Sequence, residues 1–385
     1  MVHHTINTSN TSAPSASSNN NIMTVRALKP FAMRRILGSL ALALGLAGLI
    51  APAAAQPSSV SASRWQPVAW TELPSWGPDA VTEALPAWLR SCQRPGPVWA
   101  PLCPAIRALT LASPEEQQAW AERHLQPHRV LEPDGSAPTG LLTGYYEPTL
   151  DARTEPTDTH RVALYAPPAG LRDGQVWFSR QDIDTLPQAQ AALRPVAWLA
   201  DPIKAMLLQI QGSGRLQFPQ PDGSVRNARV AFAGTNGQPY RSINLWLQQQ
   251  GVATSPWPQA TQAWARANPE RLNDLLWSNP RVVFFRLEPL NPLQAQLGPR
   301  GAQGVPLTPG RSIAVDRRSI PYGTPVWMST QGPTFSTQRL VLAQDTGSAI
   351  IDAVRADYFV GWDDDALPLA ASLKQPLQLW VLWPR

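Results

Sequence analysis

The chain has 385 residues, 43% hydrophobic and only 15% charged, enough for two ordinary domains with cores of their own. Its formal charge of +5 falls to +1 once the four cations before Ala55 (Arg26, Lys29, Arg34, Arg35) are set aside, and no basic tract marks the remainder. That excludes the basic footprint of a nucleic-acid binder, while the 41 prolines argue against long helices and for a β-rich fold of short elements.

Residues 1–22 are rich in Ser, Asn and Thr and carry no packing pattern. Arg34 and Arg35 then precede an apolar run, Ile36 to Ala51, too short to span a bilayer comfortably, which ends at Ala53-Ala54-Ala55. This is the pattern of a secretory signal peptide, so residues 1–55 are expected to be a leader and the protein to be exported to the periplasm. No cysteine lies at the cleavage site to accept lipid, which leaves association with the outer membrane open. Cys92 and Cys103 are expected to form a local disulfide after export, in preference to remaining two buried thiols.

Residues 56–135 carry mixed helical signals. Ser113-Pro114-Glu115-Glu116 reads as an N-cap, a first-position proline and an acidic first turn, opening a helix to about His124. Residues 137–245 read as β-rich, with short apolar runs at Leu141–Tyr146, Met206–Ile210 and Ala228–Phe232 and a turn at Pro221-Asp222-Gly223. Two helices, Pro258–Asn268 and Pro269–Leu276, and a strand at Val282–Phe285 follow. Five strands are expected after residue 300: Arg311–Val315, Thr324–Met328, Arg339–Ala343, Ala353–Tyr358 and Leu377–Leu382. No repeat of fixed period appears.

Asp316 and Asp345 each follow an apolar strand, and Asp357 lies within one, settings that present a carboxyl at the rim of a sheet or barrel. A lone acid so placed is more often a turn cap. Gly304 to Asp316, Ile320 to Val326, Ala343-Gln344-Asp345-Thr346-Gly347-Ser348-Ala349-Ile350 and Arg355-Ala356-Asp357-Tyr358-Phe359 together resemble the three-aspartate domain that ends the membrane-bound lytic murein transglycosylase A family. Upstream, Thr143-Gly144-Tyr145-Tyr146-Glu147-Pro148, then Asp201-Pro202 with Gln209 to Arg215, then Gly234 to Ile243 resemble that family's other signatures in the same order. The likeness runs from about residue 135 to the C-terminus.

The resemblance implies a mainly β fold with some α: a double-psi β-barrel carrying an inserted second β domain, with a groove for glycan between them. Barrel chain is expected over 56–148, the insert over 149–250 and the remaining barrel over 251–385. It further implies a peptidoglycan lytic exotransglycosylase, a carbon–oxygen lyase with no cofactor and no metal. The family's acid falls on Asp357, with Asp345 and Asp316 as supporting carboxylates. Tyr358, Phe359 and Trp362 supply apolar bulk near Asp357, which raises a carboxyl pKa, while Arg355 pulls the other way if it reaches that carboxyl. Groove contacts are expected from Tyr146, Gln211, Ser213, Tyr240 and Arg241. Peptidoglycan strands are the expected partner, with cell-wall synthesis or hydrolase complexes as further partners of a monomer. One departure is Asp352, which stands where relatives often carry glycine.

Other chemistries fit less well. Asp345-Thr346-Gly347 resembles an aspartic-protease motif, but no second such motif exists to pair with it. Gly212-Ser213-Gly214 lacks the spacing of a nucleophile elbow, because Gln211 and Arg215 stand where glycines are needed. His124 and His128 flank a proline and no glutamate, unlike a helical zinc motif. An expansin-like wall-binding protein and a water-using glycan hydrolase remain the alternatives to a lytic enzyme.

Overall fold

The computed structural model describes residues 62–77, 79–362 and 365–385; the expected leader and signal peptide lie outside the described residues. In chain order the strands of the first half are β1 (Arg64–Pro67), β2 (Leu125–Leu131), β3 (Gly140–Tyr146), β4 (Thr149–Asp151), β5 (Val162–Ala166), β6 (Arg194–Leu199) and β7 (Ser213–Pro219). Those of the second half are β8 (Val225–Thr235), β9 (Val283–Pro289), β10 (Ser312–Val315), β11 (Pro325–Gln331), β12 (Ser336–Asp345), β13 (Arg355–Gly361) and β14 (Lys374–Pro384).

Six of them close a barrel in the order β14-β11-β12-β10-β13-β3, with β3 returning to β14. Two of its contacts are parallel, β10 with β12 and β13 with β3; the others are antiparallel. Period-two alternation sorts the faces. Leu142, Ile313, Val315, Ala356 and Tyr358 point into a buried core with Val326, Met328, Val341 and Val381. Each such aliphatic residue contributes about 1.5–3 kcal/mol by leaving water. The residues between them, Thr143, Ala314 and Asp357, therefore lie on the opposite face of these strands.

Three N-terminal helices cover one side of the barrel: α1 (Asp79–Ser91), α2 (Cys103–Ala108) and α3 (Pro114–His124). Ser113 caps α3 as expected, its hydroxyl accepting the Glu116 N–H while the Glu116 carboxylate accepts the Ser113 N–H. The helices and the segment joining α1 to α2 pack Trp88, Trp99 and Trp120 against Trp327, Trp380 and Trp383 of the barrel, so much of the chain's tryptophan goes into this satellite core. Cys92 and Cys103 are disulfide-bonded across 11 positions, joining the end of α1 to the start of α2. Closing so short a loop contributes about 3 kcal/mol through the unfolded chain.

Three expectations change. The run Met206–Ile210, read as a strand, lies in a helix, Pro202–Gln211. Asp201 accepts the N–H groups of Ile203 and Lys204, Pro202 opens the first turn, and Gly212 ends the helix at φ 83°. Met206 and Leu207 serve one core while Ala205 and Leu208 serve another, so burial on two sides erases the amphipathic period. Residues 125–131, assigned to a mixed helical region, form β2, which pairs with β1 and β14. The sheet that begins in the expected insert does not stop at 250: β9 completes it in the order β4-β7-β8-β9, so it runs to Pro289.

Asp352 also acquires a physical reading. Its φ is 134°, a region that glycine enters freely and a side chain enters only with strain. Asp352→Gly is expected to stabilise the protein by about 1 kcal/mol, seen as a higher midpoint in thermal unfolding. An unchanged or lower midpoint would show that its exposed carboxylate, which faces Arg318 and Arg355, outweighs the strain.

Candidate active site

Strand register builds the site. Ala314 of β10 is opposite Asp345 of β12 on one side and Asp357 of β13 on the other. Asp357 is in turn opposite Thr143 of β3. Neighbours in register share a face, so two carboxyls flank one small residue. The Thr143 hydroxyl donates to Asp357 Oδ1 at 2.6 Å and accepts from Arg355 Nη2 at 2.9 Å. The other Arg355 donors go to the carbonyls of Leu141 and Ala356, so by hydrogen bonds the guanidinium reaches Asp357 only through Thr143.

Tyr145 spans the pair. Its hydroxyl donates to Asp345 Oδ2 at 2.9 Å, and its ring packs 5.3 Å from Phe359. The other Asp345 oxygen accepts the Ala302 N–H at 2.9 Å. Asp357 keeps a solvent-accessible edge, yet burial is the strongest influence on it. Burial pushes its carboxyl up to about 6 from 3.8, the Thr143 hydrogen bond and the Arg355 charge oppose this, and the charge of Asp345 adds to it. Asp345 is also raised, by burial, against the pull of the Ala302 and Thr346 N–H groups and the Tyr145 hydroxyl. Burial and the two acids hold the Tyr145 phenol well above its ordinary range, so it stays a donor.

Of the apolar residues expected near Asp357, Phe359 packs with Tyr145 and Trp362 on the acid's side of the strand. Tyr358 does not: it points into the barrel core, donating to Gly310 O and accepting from Arg339. Asp316 is not brought into the acid pair either. It caps the end of β10, accepting the Arg318 N–H at 2.9 Å and the Arg318 guanidinium at 2.7 Å, and these bonds hold its carboxyl below the usual range. The supporting carboxylate is therefore Asp345.

Among the expected groove residues, Tyr146 and Gln211 meet, the Tyr146 N–H donating to Gln211 Oε1 at 3.1 Å. Ser213 is buried at the start of β7. Tyr240 is half-buried and Arg241 exposed; the Arg241 N–H donates to Asn279 Oδ1, and among the described residues no hydrogen bond links either to the acids. Arg355 does bear on Asp357 as an opposing charge, as its place in the motif suggested, whereas Thr143 and Tyr145 were not singled out from the sequence as partners of the acids. One signal was available: with Leu142 inward on a strand, Thr143 and Tyr145 must share the outer face.

A buried ionic junction holds the insert to the barrel beside this site. Glu147, fully buried where β3 leaves the barrel, accepts from Arg215 Nε at 2.8 Å and from Arg229 Nε at 2.5 Å. Both guanidiniums also donate to the carbonyl of Leu297, and Arg215 lies 4.1 Å over the Trp362 ring.

Family models match in two places: the MltA specific insert domain over residues 141–286 and the 3D domain over residues 311–383. Membrane-bound lytic murein transglycosylase A of Escherichia coli (strain K12) is 30% identical over 251 residues, 63% of this chain and 65% of that protein. The Vibrio cholerae protein of the same name is 28% identical, over 54% of this chain and 56% of its own length. The chain thus spans less than two thirds of these curated relatives. Coverage of solved structures is fuller. The lytic transglycosylase LtgG of Burkholderia pseudomallei is 42% identical with a TM-score of 0.55, covering 84% of this chain and 96% of that one. MltA from Neisseria gonorrhoeae is 27% identical with a TM-score of 0.69, over 84% and 93%. With its three signatures, its closed six-stranded barrel and its paired acids in register, the chain belongs to the membrane-bound lytic murein transglycosylase A family.

Proposed function

We propose that the protein is a lytic transglycosylase that cleaves the β-1,4 bond between N-acetylmuramic acid and N-acetylglucosamine in peptidoglycan, with Asp357 as its one acid–base group. Protonated Asp357 donates to the bridging oxygen as that bond breaks. The resulting carboxylate then takes the proton from the C6 hydroxyl of the muramic acid, which closes on its own anomeric carbon to give the 1,6-anhydro end. No water is consumed. The observation that carries this reading is the half-buried Asp357 carboxyl, pushed up to about 6 beside the short Thr143 hydrogen bond. A carboxyl so placed holds its proton in weakly acidic surroundings and, once ionised, is a competent base.

The hydrolase alternative needs a second carboxylate free to activate water. Asp345 is poorly suited, because its two oxygens already accept from Tyr145 and Ala302. It serves instead as a fixed charge beside the acid. The disulfide supports an exported location, as does the expected signal peptide.

The test is product analysis. Purified protein is incubated with peptidoglycan sacculi, and the released muropeptides are weighed by mass spectrometry. Products ending in 1,6-anhydro-N-acetylmuramic acid are expected, each lighter by one water than a hydrolytic product. Reducing ends would establish a hydrolase, and binding without any release an expansin-like protein.

A further inference from the structure

Asp345 is held from behind. The residue before it, Gln344, is fully buried, and its side-chain N–H groups donate to Ala87 O at 2.9 Å and Ser91 Oγ at 2.7 Å, both on α1. Its side-chain oxygen accepts from Ser312 Oγ of β10, and its backbone carbonyl accepts the Gln303 N–H at 3.0 Å. Gln303 returns to the same end of α1: its amide donates to the carbonyls of Ser91 and Arg94 and accepts from Ser91 Oγ at 3.1 Å. Ala302, next to Gln303, is the N–H donor to Asp345 itself. Ser91 precedes Cys92, which the disulfide ties to Cys103, and Arg107 of α2 donates to the Cys92 carbonyl at 2.9 Å. Two hydrogen-bonded paths therefore run from Asp345 to one disulfide-anchored helix end.

We infer that Gln344 is a positioning residue for the acid pair, which fixes Asp345, and through Tyr145 the space beside Asp357, to the disulfide-bridged end of α1. Gln344 touches no substrate; it acts through Asp345. The inference rests on Asp357 being the acid. The charged and titratable groups facing Asp357 are Arg355 from its own strand, Asp345 from β12 and Tyr145 from β3, and Tyr322 also faces Asp345. Of these, Asp345 is held in place by Gln344. If Asp345 relaxes towards solvent, its charge bears less on Asp357 and that acid loses its proton at a lower pH.

Gln344→Leu keeps the volume and removes the amide; Ser91→Ala is the milder companion. For each, kcat and KM on sacculi are measured across pH, with near-ultraviolet circular dichroism to establish the fold. A loss in kcat of about tenfold or more is expected, with KM unchanged, 1,6-anhydro ends retained and the alkaline limb of kcat moved to lower pH. The same displacement is expected after reduction with dithiothreitol, which gives two electrons and two protons to the bridge, leaving two thiols and its own cyclic disulfide. A merely structural role would lower the melting point and leave the limb where it is. Should Gln344→Leu not fold, Ser91→Ala and the reduced protein decide. A folded variant with the wild-type kcat and alkaline limb overturns the inference. Asp357→Asn, assayed alongside, separates the two claims: if it is inactive the functional reading stands whatever Gln344 does, and if it is active both fall.

Discussion

Asp357→Asn is expected to lose at least about a thousandfold in kcat on sacculi, because one carboxyl carries both proton transfers and an amide carries neither. Glycan binding, measured by co-sedimentation, should survive, since Asn can still accept from the Thr143 hydroxyl. The same substitution should raise stability at neutral pH. The folded carboxyl is raised to about 6, above its unfolded value near 4, so the fold disfavours its ionised form. Stability from this group is therefore complete below the unfolded value and is lost as pH rises through about 6. Two pH units correspond to about 2.7 kcal/mol, and partial access to solvent reduces this to about 1–2 kcal/mol. Asp357→Asn should thus melt higher than the wild type at pH 8, with the gap closing towards pH 4. In the active wild type, kcat/KM should fall about tenfold per unit above pH 6, where the proton is gone before the bond can break. Equal melting points at both pH values would mean that Asp357 ionises as an ordinary surface acid.

Glu147→Gln should destabilise the fold by about 3–5 kcal/mol. Among the described residues Glu147 is the one acid that accepts hydrogen bonds from both Arg215 and Arg229, and all three side chains are largely out of water. Neutralising it leaves two buried guanidiniums repelling each other, with the carbonyls of Ala295 and Leu297 but no other salt-bridge partner among the described residues. Denaturant unfolding reads the loss. A triple variant, Glu147→Leu with Arg215→Met and Arg229→Met, should recover much of it, because an apolar replacement of a whole buried ionic cluster is often neutral. The junction also bears on function: Glu147 leaves β3 two residues after Tyr145, and Arg215 stacks on Trp362 near Phe359. Loosening it should widen the space beside the acid pair and raise KM before it lowers kcat. If Glu147→Gln matches the wild type in stability, the cluster is more hydrated than its burial indicates.

Local patterns made part of this molecule legible. The five C-terminal strands are short apolar runs, largely buried and bounded by turns, and Ser113-Pro114-Glu115-Glu116 carries its own cap, so their positions followed from short-range physics. The helix Pro202–Gln211 was hidden because it is buried on two sides, although Asp201-Pro202 and Gly212 marked both of its ends. The extent of the sheet β4-β7-β8-β9 was hidden because β9 joins β8 across a long helical stretch, a pairing that no local pattern encodes.

The site divides in the same way. Asp357 stands out through its motif, and Asp345 through a second one. Thr143 and Tyr145 could not be assigned to them, because those hydrogen bonds cross 214 and 200 positions and depend on the parallel register of β13 with β3. Glu147 and Arg215 lie inside two of the family's signatures, yet they and Arg229 are tied to one another in a buried ionic cluster where the insert meets the barrel. Asp316 looks like its fellow aspartates and is separated from them by one local fact, the arginine two residues on.

Digesting sacculi in water enriched in oxygen-18 is the most direct test of a single acid working without water. Closure by the sugar's own C6 hydroxyl predicts that no solvent oxygen enters the new ends, whatever the extent of digestion. One labelled oxygen per cleaved bond would contradict it, and would mean that water, not the muramic acid, attacks beside Asp357.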